Sequence, residues 1–259
     1  HVSISAATNH VDWEKHRINI LDTPGDSNFA FDTKSCLRIV DGAVVLVDAV
    51  GGVEFQTEKV WEYADEFKLP RILFVSRMDR ERADFANAVE SIRTRLGKKV
   101  TIASLPVGSE SAFSGVVDLI TMKALIFDSE KRATKTVDIP GNMSAEVKKY
   151  REILIEDIAE TDDELMNSYL ETGELSPEDL KAGLRTGMVA GAITPVLCGS
   201  ALNHIGMTSL LDTIVQFFPS PIDRGPITGK KPVTGEEEIR LPEESAPFSA
   251  LVFKTIADP

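Results

Sequence analysis

Residues 17–47 read RINILDTPGDSNFAFDTKSCLRIVDGAVVLV, and this stretch decides the fold class. Arg17 to Leu21 has strand character, Asp22-Thr23-Pro24-Gly25 is a turn, Ser27 to Val40 has helical spacing, and Ala43 to Val47 is an apolar run of strand length. The same alternation continues downstream. Glu54 to Phe67 sets Val60, Trp61, Ala64 and Phe67 on one helical face, Arg71 to Val75 is another apolar strand, and Ala83 to Leu96 another helix. Strands alternating with helices call for a parallel sheet covered on both faces. The expected class is α/β, a doubly wound, mostly parallel sheet. Upstream, residues 2–20 form two extended stretches joined by the polar turn Glu14-Lys15-His16, which predicts a hairpin leading into the Arg17 strand.

The rhythm breaks after Gly97. Residues 100–125 contain short β-like runs, among them Val116 to Ile120, and Ala145 to Ala159 and Asp163 to Leu170 read as helices. A third helix is announced by Ser176 as cap, Pro177 at the first position, and Glu178 and Asp179 at the positive end of the dipole. A buried-type strand returns at Ile193 to Leu197, followed by a helix over Gly206 to Phe217. The expected organisation is a sheet domain over 1–99 and 191–220, interrupted by an inserted α+β subdomain over 100–190. From Pro219 the composition turns to Pro, Gly and charge, so 221–259 reads as a linker followed by one alternating strand, Pro247 to Ile256.

Composition narrows the function classes. No apolar run approaches the roughly 20 residues of a membrane span, and a net charge of −13 opposes non-specific attraction to DNA. The four histidines form no metal-type spacing. Cys36 and Cys198 lie in apolar settings and predict buried thiols in a reducing cytosol. The acids Glu236-Glu237-Glu238 and Glu243-Glu244 read as a solvated loop.

Three turns at strand ends carry chemistry, because that is where doubly wound folds bind ligands. In Asp22-Thr23-Pro24-Gly25 the carboxylate can hold Mg²⁺ through water, and the glycine lets its amide approach a terminal phosphate. In Ser76-Arg77-Met78-Asp79 the Asp79 carboxylate can accept from both N1–H and the exocyclic amine of guanine, a donor pair that adenine lacks. In Gly199-Ser200-Ala201 a tight turn can aim a backbone N–H at the guanine carbonyl oxygen. The three agree in order, spacing and placement.

At these residues the sequence resembles the translational GTPases, and within them elongation factor G. The resemblance runs through Arg17 to Gly25, Asp41-Gly42-Ala43-Val44-Val45, Val50-Gly51-Gly52-Val53, Gln56-Thr57 and Gly115 to Ile120. It continues through Phe217-Phe218-Pro219-Ser220-Pro221 to Phe253 through Pro259. It implies a GTPase domain of the P-loop type with an insertion between the base-reading motif and the last motif, and then the first strand of a β-barrel domain. It also implies GTP/GDP and Mg²⁺ as ligands, the ribosome as partner, its stalk protein as a contact of the insertion, and a cytoplasmic location. Ser3 matches the position where the family ligates Mg²⁺ with a threonine, giving Ser3 and Asp22 as metal residues.

The departures are specific. No G-x-x-x-x-G-K-[ST] phosphate loop occurs in residues 1–259, so the P-loop type is incomplete here and this stretch alone is expected to bind GTP weakly or not at all. Asp26 stands where the family has a histidine that aligns the attacking water. An ionised carboxylate there predicts slower hydrolysis, and the other reading is a turn residue capping the following helix. Ser76 and Arg77 replace the usual Asn and Lys. The expected protein is a divergent relative: a ribosome-associated GTPase, a docking module that hydrolyses little, or a ribosomal protection or release factor on the same scaffold.

Overall fold

The computed structural model describes residues 3–97, 99–131 and 133–255. Its first element is a hairpin of β1 (Ala7–Trp13) and β2 (His16–Asp22), antiparallel from Ala7 opposite Asp22 to Trp13 opposite His16. Glu14 and Lys15 make the turn with φ of 45° and 64°. Two successive left-handed residues give a turn whose twist matches that of the strands it joins.

Beyond the Asp22–Gly25 turn, Asp26 caps a short 3₁₀ turn over Ser27–Phe29, and α1 spans Ala30–Leu37. The single helix expected over Ser27 to Val40 is shorter and begins tighter. The β-branched pair Ile39-Val40 followed by Asp41-Gly42 does not prolong it. The main alternation then follows the sequence through β3 (Ala43–Asp48), α2 (Phe55–Glu66), β4 (Arg71–Ser76) and α3 (Phe85–Leu96), but β5 (Val100–Ile102), expected inside the insertion, joins the parallel sheet instead. Glu54 and Thr57 form a capping box on α2, Asp84 accepts the Asn87 amide at the start of α3, and Gly97 closes α3 at φ 62°.

An antiparallel meander comes next, β6 (Ser104–Val107), β7 (Gly115–Asp118), β8 (Lys123–Asp128) and β9 (Ala133–Val137). Three helices follow, α4 (Ser144–Ala159), α5 (Asp163–Thr172) and α6 (Pro177–Val189), with Ser176 accepting the Asp179 amide as expected. The chain then returns as β10 (Thr194–Cys198) and α7 (Met207–Phe217).

The parallel sheet has the order β3-β4-β10-β5, and β10 slots between two strands laid down much earlier. Ile72, Leu73, Phe74 and Val75 of the inner strand β4 are all at most 2% exposed, which explains its continuous apolar run. The core extends from Phe74 and Val196 through Leu105 and Val117 to Leu154, Ile158, Leu180 and Leu184, so the sheet and the inserted elements share one apolar interior. Each such fully buried side chain contributes about 1.5–3 kcal/mol.

The structure departs from the sequence reading in three further places. The hairpin forms its own two-stranded sheet, hydrogen-bonded to none of the parallel strands among the described residues. The region read as linker contains a short helix α8 (Pro221–Arg224) and a second hairpin, β11 (Ile227–Lys230) with β12 (Glu237–Arg240). Residues 247–255 are not a strand; alternation there finds no ladder partner, and Ile256 lies outside the described residues, as do His1 and Val2. Among the described residues no helix is long and apolar enough to cross a membrane.

Candidate functional site

Strands β3, β4 and β10 end level with one another. Asp48 pairs with Ser76, and Cys198 with Val75. Their outgoing turns are joined by backbone bonds: Ala49 N–H donates to Ser76 O at 3.0 Å, Gly199 N–H to Val75 O at 2.9 Å, and Met78 N–H to Gly199 O at 3.2 Å. Two of the three turns singled out in the sequence, Ser76 to Asp79 and Gly199 to Ala201, are therefore side by side. Met78 is 1% exposed and anchors its turn in the core, leaving Arg77 exposed and Asp79 half-buried. Among the described residues the Asp79 carboxylate has no hydrogen-bond or ion-pair partner. Both its oxygens are open to adjacent N–H donors.

The Gly199 turn is tight for a steric reason. A Cβ at Gly199 would lie 2.4 Å from Ile205 O and 2.6 Å from Phe74 Cζ. Ser200 is buried and exchanges both backbone bonds with Ile205, at 2.9 and 3.0 Å, and its Oγ accepts the Asn203 amide at 3.2 Å. Ala201 is exposed on the outside of this turn.

A further residue joins the site. Arg77 holds φ at 63°, uncommon for a residue with a side chain, and its guanidinium donates to Asp48 Oδ2 at 2.6 Å. Asp48 Oδ1 in turn accepts the amides of Val50 and Gly51 at 2.8 and 3.0 Å. Partial burial alone would raise the Asp48 carboxyl, but the Gly51 and Val50 amides and the Arg77 guanidinium outweigh it and hold the group below its ordinary value. Sequence reasoning missed Asp48. The available signal was an acid closing a buried strand whose parallel neighbour ends on the Ser76-Arg77 turn.

The remaining expected residues belong to the hairpin and its exit. Asp22 is exposed at the end of β2, opposite Ala7, and Gly25 is exposed with nothing within 4 Å of a would-be Cβ. The buried Pro24 carbonyl accepts Thr33 Oγ1 at 3.0 Å, which fixes this turn to α1. Ser3 is exposed, and its segment is tied to the same helix where Ala6 N–H donates to Asp32 Oδ2 at 3.1 Å. Lys254 meets Asp32 at 2.8 Å and also donates to Ser5 Oγ, so a residue remote in sequence closes this corner. Asp26 Oδ1 accepts the Asn28 amide at 2.9 Å and Asn28 Nδ2 at 2.8 Å. No hydrogen bond links residues 22–25 to the Asp79 and Gly199 turns among the described residues.

Among the described residues no cluster of three or more His, Cys, Asp or Glu side chains could cage a metal. Mg²⁺ needs none, because it is commonly bound through one or two protein oxygens, waters and substrate phosphates. The oxygens of Asp22 and Ser3 are of the right kind for that arrangement.

The sequence matches the family profile described as elongation factor Tu GTP binding domain over residues 1–220. A crystal structure of a protein from Thermus thermophilus superposes with a TM-score of 0.80 at 28% identity, covering 93% of this chain. The match occupies 37% of that protein, so the chain spans little more than a third of the length of this solved structure.

Proposed function

This chain belongs to the family of the elongation factor Tu GTP-binding domain, and from that we propose that it is the nucleotide-switch portion of a translational GTPase resembling elongation factor G. The protein that carries it binds guanine nucleotide with Mg²⁺ and hydrolyses GTP to GDP and phosphate on the ribosome, in the cytoplasm. In this reading residues 1–99 and 191–220, with β5 added to them by its pairing with β10, are the nucleotide-binding body, the rest of 100–190 is the insertion facing the ribosomal stalk protein, and 221–259 is the passage into a β-barrel domain.

The observation that carries the reading is the Asp79 carboxylate, without a partner among the described residues and held beside the Gly199 turn by the Met78–Gly199 backbone bond. Asp79 takes the two N–H donors of the guanine edge, and the Ser200-Ala201 backbone faces the carbonyl side. Arg77 covers the ring, while Ser76, shorter than an amide side chain, contributes less. At the other end Gly25 gives its amide room to approach a terminal phosphate, and Asp22 and Ser3 hold Mg²⁺, which neutralises phosphate charge when bound.

Asp26 favours a slow enzyme. One of its carboxylate oxygens, Oδ1, accepts from the Asn28 amide and side chain, and an acceptor-only group cannot donate to an attacking water or a phosphate oxygen. A docking module with little hydrolysis is the second reading that this contact supports.

The test is a base swap in the full-length natural protein carrying this chain. Asp79→Asn is expected to lower GDP affinity by about two orders of magnitude. It should gain xanthosine diphosphate, because an amide donates to the carbonyl that replaces the guanine amine. Undiminished GDP binding in Asp79→Asn would remove the base assignment.

A further inference from the structure

We infer that Asp48 is a positioning residue for base recognition: it fixes the Arg77 guanidinium as a flat cover over the purine whose edge Asp79 reads. This rests on the base site proposed above and adds a residue to it.

Asp48 is well suited to act as a fixed post. One carboxylate oxygen is committed to the Val50 and Gly51 amides, and the Asp48 carbonyl accepts the Gly52 amide at 2.8 Å. The side chain cannot swing without breaking that turn, so the second oxygen, which takes Arg77 at 2.6 Å, has a set position. The neighbouring strand is locked to the same point where Ala49 N–H donates to Ser76 O. Post and arginine therefore rise from adjacent strand ends with little slack between them.

Arg77 needs such a post. It is 56% exposed on its side chain, and a long side chain left free in solvent must be ordered each time a ligand binds, at an entropic cost. The Asp48 contact restrains it beforehand. It uses a single guanidinium nitrogen, which leaves the planar face and the other N–H groups open. A guanidinium plane stacks on a base, whereas a lysine ammonium is a point charge with no plane to fix. The Arg77 substitution and the strand-end carboxylate thus make sense together: the arginine supplies the plane and Asp48 sets where it lies.

The experiment is a titration of GDP and inosine diphosphate into the full-length natural protein carrying this chain, with thermal midpoints recorded for each variant. A pair this exposed is worth about fivefold in affinity. Asp48→Asn is expected to weaken both nucleotides by that same factor, since their purine faces are alike and only their edges differ. Arg77→Met should weaken both at least as much, Asp48→Asn should cost nothing further in the Arg77→Met background, and Asp48→Glu should recover part of the loss. The inference is overturned if Asp48→Asn binds as the parent does, or if its loss persists undiminished alongside Arg77→Met, the signature of a general structural effect. Should Arg77→Met and Asp79→Asn both leave GDP binding unchanged, the base site itself is misplaced and the positioning role falls with it.

Discussion

Met78 donates its amide hydrogen to the Gly199 carbonyl across 3.2 Å, joining two turns that the sequence separates by the whole of the inserted region. Gly199 can serve because it has no side chain: a Cβ would meet Ile205 O at 2.4 Å and Phe74 Cζ at 2.6 Å. Gly199→Ala is expected to destabilise the fold by about 1–3 kcal/mol, measured by urea denaturation. Nucleotide affinity should fall with it, as the Met78 contact is displaced.

Arg71 is a cation placed at the start of an inner strand, 5% exposed. It bonds Leu69 O, Trp61 O and Asp65 Oδ1 at 3.2, 3.1 and 2.6 Å, and its guanidinium lies 4.3 Å from the Trp61 ring centroid. Arg71→Met should cost about 2–4 kcal/mol, less than a wholly buried pair because Asp65 is 40% exposed on its side chain. Arg71→Lys should recover little of it, since one ammonium cannot span three acceptors and a ring face. Chemical denaturation of the two variants measures both.

Cys198 is wholly buried, and burial pushes its thiol up to about 12, with a side-chain hydrogen bond to Ser104 working against the rise. Burial raises Cys36 as well, with Asp32 adding to it. Neither thiol should react with iodoacetamide in the folded protein under mildly alkaline conditions, and both should react once it is unfolded. The linkage has a definite sign. A folded value above the ordinary 9.0 gives stability that is complete below that pH and is lost as pH rises toward about 12. Stability of Cys198→Ala should decline less steeply over that range.

Asp48 behaves in the opposite sense. Its folded value lies below the ordinary 3.8, so its contribution is present above that pH and disappears as acid protonates it in the folded state. The stability difference between the parent and Asp48→Asn should be constant near neutrality and shrink below about pH 4. A difference that stays level throughout would mean the ionised form is not what the turn and Arg77 recognise.

Much of the fold was legible because its signals are local. The apolar runs beginning at Ala43, Arg71 and Ile193 became parallel strands, the last shifted by one residue to Thr194–Cys198, and the Ser176-Pro177 start became the capped end of α6. What was not legible depends on partners far along the chain. Alternation at 247–255 looks like a strand, yet alternation only reports which side chains could share a face, and a ladder needs a second strand. Glu237 and its neighbours looked like a solvated loop, yet they pair with Ile227–Lys230. At the site, Asp79 and Gly199 could be read from residue type and strand-end position. Asp48 could not, because its role depends on where Arg77 reaches. Asp26 lay between: an acid at this position fits a helix cap and also a slowed hydrolysis, and only the Asn28 contacts reveal that its Oδ1 serves the cap.

The excursion between β5 and β10 leaves and re-enters the parallel sheet on neighbouring strands, with Val100 opposite Thr194. Because the two strands are parallel, the exit at Ile102 and the return at Thr194 lie one strand spacing and about two residues of rise apart, and the closure entropy of such a loop grows just logarithmically with its length. Evolution could lengthen, shorten or re-decorate this appendage for new partners while the strand ends bearing Asp48, Asp79 and Gly199 kept their geometry.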